Sequence, residues 1–372
     1  MQTLGLYLHI PFCKSKCIYC DFYSLSHREE RMDAYTDALC AQLAAWSGRA
    51  ADFCVDTIYF GGGTPSYLGA ARLERLLQCA LAHYRVTPGA EITLEANPDS
   101  AQLLPPLRTL RAAGFNRISL GMQSADDALL RTIGRVHTHA QTVRAVESAR
   151  AAGFDNLSLD LIYGLPGQSG AQWRETLRAA LALAPEHLSC YGLKVEEGTP
   201  LAAARETLPP GDDDAQADNY LEAVALLRQN GYEHYEISNF CRPGFSSRHN
   251  CRYWQLSPYL GLGPGAHSDF CGQRFAFARD LDSFCAGDVR YSQCEQISPQ
   301  ERQRERVMLS LRTARGLDLA SFGLNASAAQ KVLLTCRSHG LAVCRSGRWQ
   351  LSAEGFLVSN EIILRVLDAL GL

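Results

Sequence analysis

Cys13, Cys17 and Cys20 stand in a C-x3-C-x2-C spacing directly after an apolar run, Leu4–Ile10. Three thiolates on one short loop are one ligand short of closing a tetrahedral zinc site or a four-cysteine iron–sulfur cluster. On a [4Fe–4S] cubane they leave one iron open. S-adenosylmethionine (SAM) can chelate that iron through its amino and carboxylate groups. An electron from the reduced cluster then breaks the S–C5′ bond and yields a 5′-deoxyadenosyl radical. The competing chemistry is zinc, with His9 or His27 as fourth ligand.

Other residues suited to a ligand site recur at the ends of later apolar runs. Phe60-Gly-Gly-Gly-Thr-Pro65 offers backbone that a ligand can approach closely at Gly62, Gly63 and Thr64. It lacks the Lys-Ser/Thr pair of a phosphate loop. Glu95 in LEANP, Gln123 in SLGMQS and Asp160 in LDLIYGLPGQ place polar groups where apolar runs end. Asp160 interrupts an apolar run, which is costly unless the carboxylate is paired; a ribose diol is one suitable partner. Arg135, in IGRVH, is placed to meet the SAM carboxylate.

These residues need a scaffold that gathers strand ends. Strands are expected at Leu4–Ile10, Thr57–Phe60, Glu91–Glu95, Arg117–Leu120, Leu157–Ile162 and His187–Leu193. Amphipathic helices are expected between them, as at Ala34–Trp46, Ala70–His83 and His139–Ala152. Ala-Ala-Gly-Phe occurs at 112–115 and again at 151–154, each copy reading as a helix closed by glycine before a strand. Six strand–helix units predict an α/β fold, an incomplete (βα)6 barrel with its chemistry at the strand C-terminal ends. LPPGDDD, Leu208–Asp214, reads as a linker, with an aspartate capping a helix over Gln216–Gln229. The tail from Ser298 reads helix, helix, hairpin around Arg345–Arg348, helix: a small α+β, winged-helix-like domain. The expected division is 1–207 for the partial barrel, 208–297 for a segment completing the core, and 298–372 for the C-terminal domain.

Bulk properties exclude some classes. A formal charge of −3 over 372 residues gives no overall attraction for nucleic acid. There is no secretory leader and no run of about 18 apolar residues, so no transmembrane segment is expected. Of the 14 cysteines, the 11 outside the loop are irregularly scattered, as in a reducing cytoplasm rather than a disulfide framework.

The strings YLHIPFCKSKCIYCDF, FGGGTPSYL, RISLGMQS and LDLIYGLPGQ together resemble the coproporphyrinogen oxidase-like branch of the radical SAM superfamily. The resemblance implies a [4Fe–4S] cluster on Cys13, Cys17 and Cys20. It also implies SAM-site positions at Tyr7, Gly62, Gly63, Thr64, Glu95, Gln123, Arg135 and Asp160, with Tyr19 beside the cluster. Phe22 stands where the oxygen-independent coproporphyrinogen III oxidase has a fourth cysteine, and only six residues precede Tyr7, where that enzyme carries a long extension. Both features instead resemble HemW, the radical SAM haem chaperone family. His249-Asn250-Cys251-Arg252-Tyr253-Trp254 matches that family's HNxxYW haem-binding motif, on His249, Asn250, Tyr253 and Trp254.

A histidine can ligate haem iron, Tyr253 and Trp254 offer flat faces to a porphyrin, and Arg242, Arg248 and Arg252 can meet propionates. The ordinary alternative is a core histidine and tryptophan beside solvated arginines. His267, in GLGPGAHS, is a further histidine open as a ligand. The resemblance implies a cytoplasmic haem chaperone that delivers haem to acceptor haemoproteins, respiratory ones among them, with peripheral attachment at the cytoplasmic membrane face. Its core is able in principle to cleave SAM without being an active coproporphyrinogen oxidase. The alternatives are that oxidase, and a radical SAM enzyme modifying tRNA or protein.

Overall fold

Six apolar runs, each followed by a helix with an apolar stripe, set the architecture. The computed structural model describes residues 2–101, 103–204 and 212–372. The strands are β1 (Gln2–Ile10), β2 (Phe53–Gly62), β3 (Val86–Ala96), β4 (Arg117–Gln123), β5 (Leu157–Tyr163) and β6 (His187–Gly192). They pair in parallel and in chain order. The connecting helices are α1 (Met32–Ser47), α2 (Ala70–His83), α3 (Leu104–Ala113), α4 (His139–Ala151), α5 (Gly170–Ala182) and α6 (Asp213–Gln229). In α2 the buried residues are Leu73, Leu76, Leu77 and Ala80, one face at helical spacing. Thr138 and Ser169 open α4 and α5 with capping boxes. Asp212 caps α6 as expected. Most of LPPGDDD, including the expected 207/208 boundary, lies outside the described residues.

The sheet does not stop at six strands. Beyond β6 come β8 (Asn239–Cys241) and β7 (Glu233–Glu236), antiparallel. Beyond β1 come β9 (Tyr259–Leu262), β10 (His267–Phe270), β11 (Gln273–Phe277) and β12 (Tyr291–Gln296). The segment after residue 208 thus extends the barrel sheet on both edges. Between β8 and β9, α7 (Arg248–Trp254) packs against β2. The C-terminal part holds α8 (Pro299–Ser310), α9 (Ala326–Ser338), the hairpin β13 (Ala342–Arg345) and β14 (Arg348–Leu351), and α10 (Ser359–Leu370). This is the helix–helix–hairpin–helix order expected of a winged-helix-like module.

Period-two alternation divides the barrel strands between two environments. Leu4, Leu6, Leu8 and Ile10 join the core under the helices. The alternate residues face inward, and many are polar: Tyr59 with Glu95, and Ser119 with Asp160, are joined by hydrogen bonds between neighbouring strands. A complete barrel fills this space with branched apolar side chains. Here it is a lined cavity.

Candidate functional site

The loop after β1 is fixed before any ligand is considered. Cys13 N–H donates to Leu25 O at 2.9 Å and Leu25 N–H to Pro11 O at 2.8 Å, closing the loop at its base. The end of β2 is laced to it, with Gly63 N–H on Ile10 O and Thr64 N–H on Phe12 O, both 2.8 Å. A Cβ at Gly63 would lie 2.7 Å from Phe12 O and 3.1 Å from Cys13 Sγ, so this approach requires glycine. Cys13, Cys17 and Cys20 all border one cavity of about 490 Å³. Burial pushes the Cys13 and Cys20 thiols up, with Cys17 adding to both shifts. Such thiols are poor free nucleophiles; thiolate formation there calls for a metal.

Zinc lacks its fourth ligand. His9 is 5% exposed and shares its Nδ1 with the Tyr7 hydroxyl at 3.1 Å and its Nε2 with Tyr23 O at 2.8 Å. His27 is exposed on the loop, in a left-handed backbone conformation. Among the described residues, no group of three or more His, Cys, Asp or Glu is gathered as a single metal ion requires. Three thiols bordering one cavity, without a fourth ligand from His9 or His27, match the ligand count of a cubane with one open iron.

Behind the thiols runs a chain of polar contacts. Thr64 Oγ1 meets Cys13 Sγ at 3.4 Å and accepts from Asn97 Nδ2 at 3.0 Å. Arg135 Nη1 donates to Asn97 Oδ1 at 2.6 Å, and its Nη2 to the Tyr19 hydroxyl at 3.0 Å. Arg135 is therefore aimed by two neutral groups while its buried Nε has no partner among the described residues. Gln123 adopts φ of 60° at the end of β4, rare for a residue with a side chain, and borders the cavity. Deeper in, Glu95 accepts from the Tyr59 hydroxyl at 2.6 Å and from Gly62 N–H at 3.2 Å. Burial nonetheless raises it to about 7. Burial also raises Asp160, which accepts from Ser119 Oγ at 3.1 Å.

Of the expected SAM positions, Tyr19, Gly62, Gly63, Thr64, Glu95, Gln123, Arg135 and Asp160 all line this cavity. Tyr7 lies one layer away, its ring stacked on Tyr59 at 6.2 Å. Sequence reasoning passed over Arg117. Its side chain is 1% exposed, borders the same cavity, and carries Nε and Nη1 without partners among the described residues. The one signal was a charge opening a strand that is buried along its whole length. The buried pairs Glu95 and Asp160, and Arg117 and Arg135, within one cavity fit a zwitterionic, diol-bearing ligand beside the thiols.

The HNxxYW residues are divided. Asn250 borders the thiol cavity, whereas Trp254 borders a different one. His249 is 1% exposed beneath the cavity floor, stacked on Tyr59 at 5.1 Å. Its Nδ1 shares a hydrogen bond with Thr57 Oγ1 at 2.9 Å and its Nε2 one with the Tyr253 hydroxyl at 2.9 Å. Burial, then the Arg252 and Arg117 charges, lower it to about 3, so the imidazole is neutral at pH 7. Iron on Nε2 would have to displace Tyr253, whose ring is packed edge-on against Tyr259 at 4.6 Å.

The arginines expected at propionates are turned elsewhere. Arg242 lies over Tyr232, Arg248 donates to Gly89 O and Asp56 O, and Arg252 is buried in an ion pair with Asp56. The helix capped by Ser247 and the bulged stretch of β2 at Asp56 hold Arg248 and Arg252, which the sequence spacing alone does not reveal. His267 is exposed at the start of β10.

Residues 7–180 match the Radical SAM superfamily, and residues 297–358 match the HemN C-terminal domain. The chain is 36% identical over 376 aligned residues to the heme chaperone HemW of Mycobacterium tuberculosis, covering 98% of this chain and 95% of that one. It is 32% identical to the heme chaperone HemW of Bacillus subtilis, covering 96% and 97%. Among solved structures, the radical SAM enzyme coproporphyrinogen III oxidase (HemN) from Escherichia coli superposes with a TM-score of 0.83 at 25% identity, over 98% of this chain and 90% of that one. With relatives this similar along nearly their whole length, and with three thiols at the mouth of a polar barrel, the chain belongs to the HemW family within the radical SAM superfamily.

Proposed function

We propose that this protein is a haem chaperone, which binds haem and delivers it to acceptor haemoproteins from a [4Fe–4S]/SAM core. The observation that carries the reading is similarity to HemW chaperones over 98% of the chain, joined to a loop with three and not four cysteines. We assign the cluster to Cys13, Cys17 and Cys20, and SAM to the polar cavity behind them. A reduced cluster, when bound, supplies the electron that cleaves SAM. This chain's own residues hold the ligands: Arg135 and Arg117 present N–H groups to a carboxylate, Asp160 accepts from a diol, and Glu95 accepts from an amine. The acceptors include respiratory haemoproteins, met at the cytoplasmic face of a membrane. No helix among the described residues is long and apolar enough to cross one.

The rival reading is oxidative decarboxylation of coproporphyrinogen III, favoured by the superposition on HemN. Against it, Phe22 replaces the expected fourth cysteine and is 63% exposed at the cavity rim. Anaerobic titration of the reconstituted protein with haem separates the two. The chaperone reading expects saturable binding of haem and no turnover of coproporphyrinogen. Turnover to protoporphyrinogen without saturable haem binding would reverse the choice.

A further inference from the structure

The C-terminal module differs in charge from the chain as a whole. Residues 298–372 hold ten Lys and Arg against six Asp and Glu, a net +4 in a chain of −3. Part of that charge lines a cleft of about 530 Å³ between the barrel edge at β7 and α8. Backbone bonds fix the junction, Ala314 N–H on Tyr235 O at 2.9 Å and Ile237 N–H on Arg312 O at 3.1 Å. Four arginines border the cleft, and they fall into two pairs. Arg302 and Arg348 are structural: Arg302 holds α8 to Asp269, and Arg348 donates to Arg315 O and Gly316 O, both at 2.8 Å. Arg306 and Arg315 are exposed, and their guanidinium groups have no ion pair or hydrogen bond among the described residues.

The free arginines stand on fixed backbone. One turn before Arg306, Arg302 makes two bonds to Asp269. The turn before β14 packs so closely that a Cβ at Gly316 would lie 2.4 Å from Trp349 O, which holds the neighbouring Arg315 in place. A rigid base lowers the cost of ordering these side chains on a ligand. A second observation comes from the opposite wall. Glu236 is 1% exposed and borders the cleft with Oε1 unpartnered among the described residues, while Oε2 accepts from Ser238 N–H at 3.1 Å. A bare buried acceptor is costly unless a donor reaches it. Burial raises this carboxyl to about 7, so near neutrality it opposes an acidic ligand only in part.

We propose that an acidic polypeptide segment of the haem acceptor docks in this cleft, with carboxylates on Arg306 and Arg315 and a backbone N–H on Glu236. The identity of the partner rests on the haem-chaperone reading, since a chaperone must touch the protein it loads. The chemistry of the cleft selects a peptide. Two free cations call for anions, and one buried oxygen calls for a donor. A polypeptide carries both, on its side chains and its backbone. A phosphodiester offers only acceptors and would set a further negative oxygen against Glu236. Ser246, Gln255, Ser310 and Thr313 border the same cleft and can bond to an extended backbone.

The test is fluorescence anisotropy of labelled octaglutamate with the full chain at low ionic strength, comparing wild type with Arg306→Glu/Arg315→Glu. The control is Arg304→Glu/Arg345→Glu, the same charge change at exposed arginines of the module outside the cleft. Thermal melts check that the variants fold as wild type does. The expected result is saturable binding, weakened at least about tenfold in the first variant and less than about twofold in the control. No binding, or a loss no greater than the control's, would overturn the cleft. Octauridylate bound more tightly than octaglutamate, and lost in the first variant, would overturn the peptide in favour of nucleic acid. Haem titration of the same proteins separates this site from the chaperone reading. Haem binding should be unchanged in the first variant; its loss there would reassign the two arginines to haem and overturn the docking site. Wild type that binds octaglutamate but no haem would overturn the chaperone reading and, with it, the identity of the partner.

Discussion

Replacing Cys17 by alanine is expected to abolish cluster assembly while the chain stays folded. Anaerobic reconstitution should give about four irons per wild-type chain and close to none in the variant. The physical reason is the ligand count, since three thiolates already leave one iron open and two cannot hold a cubane. The fold should tolerate the change, because the Cys17 side chain is only partly buried and its loop is tied down by backbone bonds at Cys13, Ile18 and Cys20. Cys344→Ala, at an exposed thiol on the distal hairpin, is the control and should keep its full iron content. Full iron in Cys17→Ala would show that the loop is not the cluster site. The same cluster-free protein also decides whether haem delivery requires the cluster: unchanged delivery would leave the SAM site without a part in transfer.

Arg252→Met should have the largest effect on stability. Arg252 is 5% exposed, and its guanidinium donates to the Asp56 carboxylate, to Thr57 Oγ1 at 3.2 Å, and to Pro258 O at 3.0 Å. Gly5 makes room for it, since a Cβ there would sit 2.6 Å from Arg252 Cδ. Removing one partner of a buried ion pair costs about 3–5 kcal/mol, and Asp56, at 23% side-chain exposure, draws the expectation to the lower end. At about 2–4 °C per kcal/mol for a larger domain, the melting temperature should fall by about 6–12 °C. An unchanged melting temperature would refute the structural role and return Arg252 to the ligand-binding arginines.

The six barrel strands were legible because each carries a nearly continuous apolar run. The edges were not. β12 is exposed along its whole length and is held through its backbone to β11, so YSQCEQ shows no apolar pattern to read. The cavity was legible wherever a polar residue interrupts or ends an apolar strand, whereas Arg117, which opens β4, falls outside that rule. Two things were not legible. The sequence shows that His249 and Trp254 lie five residues apart, but not that α7 turns them toward different spaces. Nor does it show that Arg252 is spent on Asp56, 196 residues away. Both depend on where a short helix lands on the sheet, which is a tertiary outcome.

The central claim is that haem passes through this protein to another. Its most direct test is to load the reconstituted chain with haem, remove free haem, and mix it with an apo-haemoprotein whose activity returns on haem uptake. The account predicts that activity rises as the chaperone's haem absorption falls, in equal amounts and without release of free haem. Retention of haem by the chain, or recovery no faster than from free haem, would contradict it.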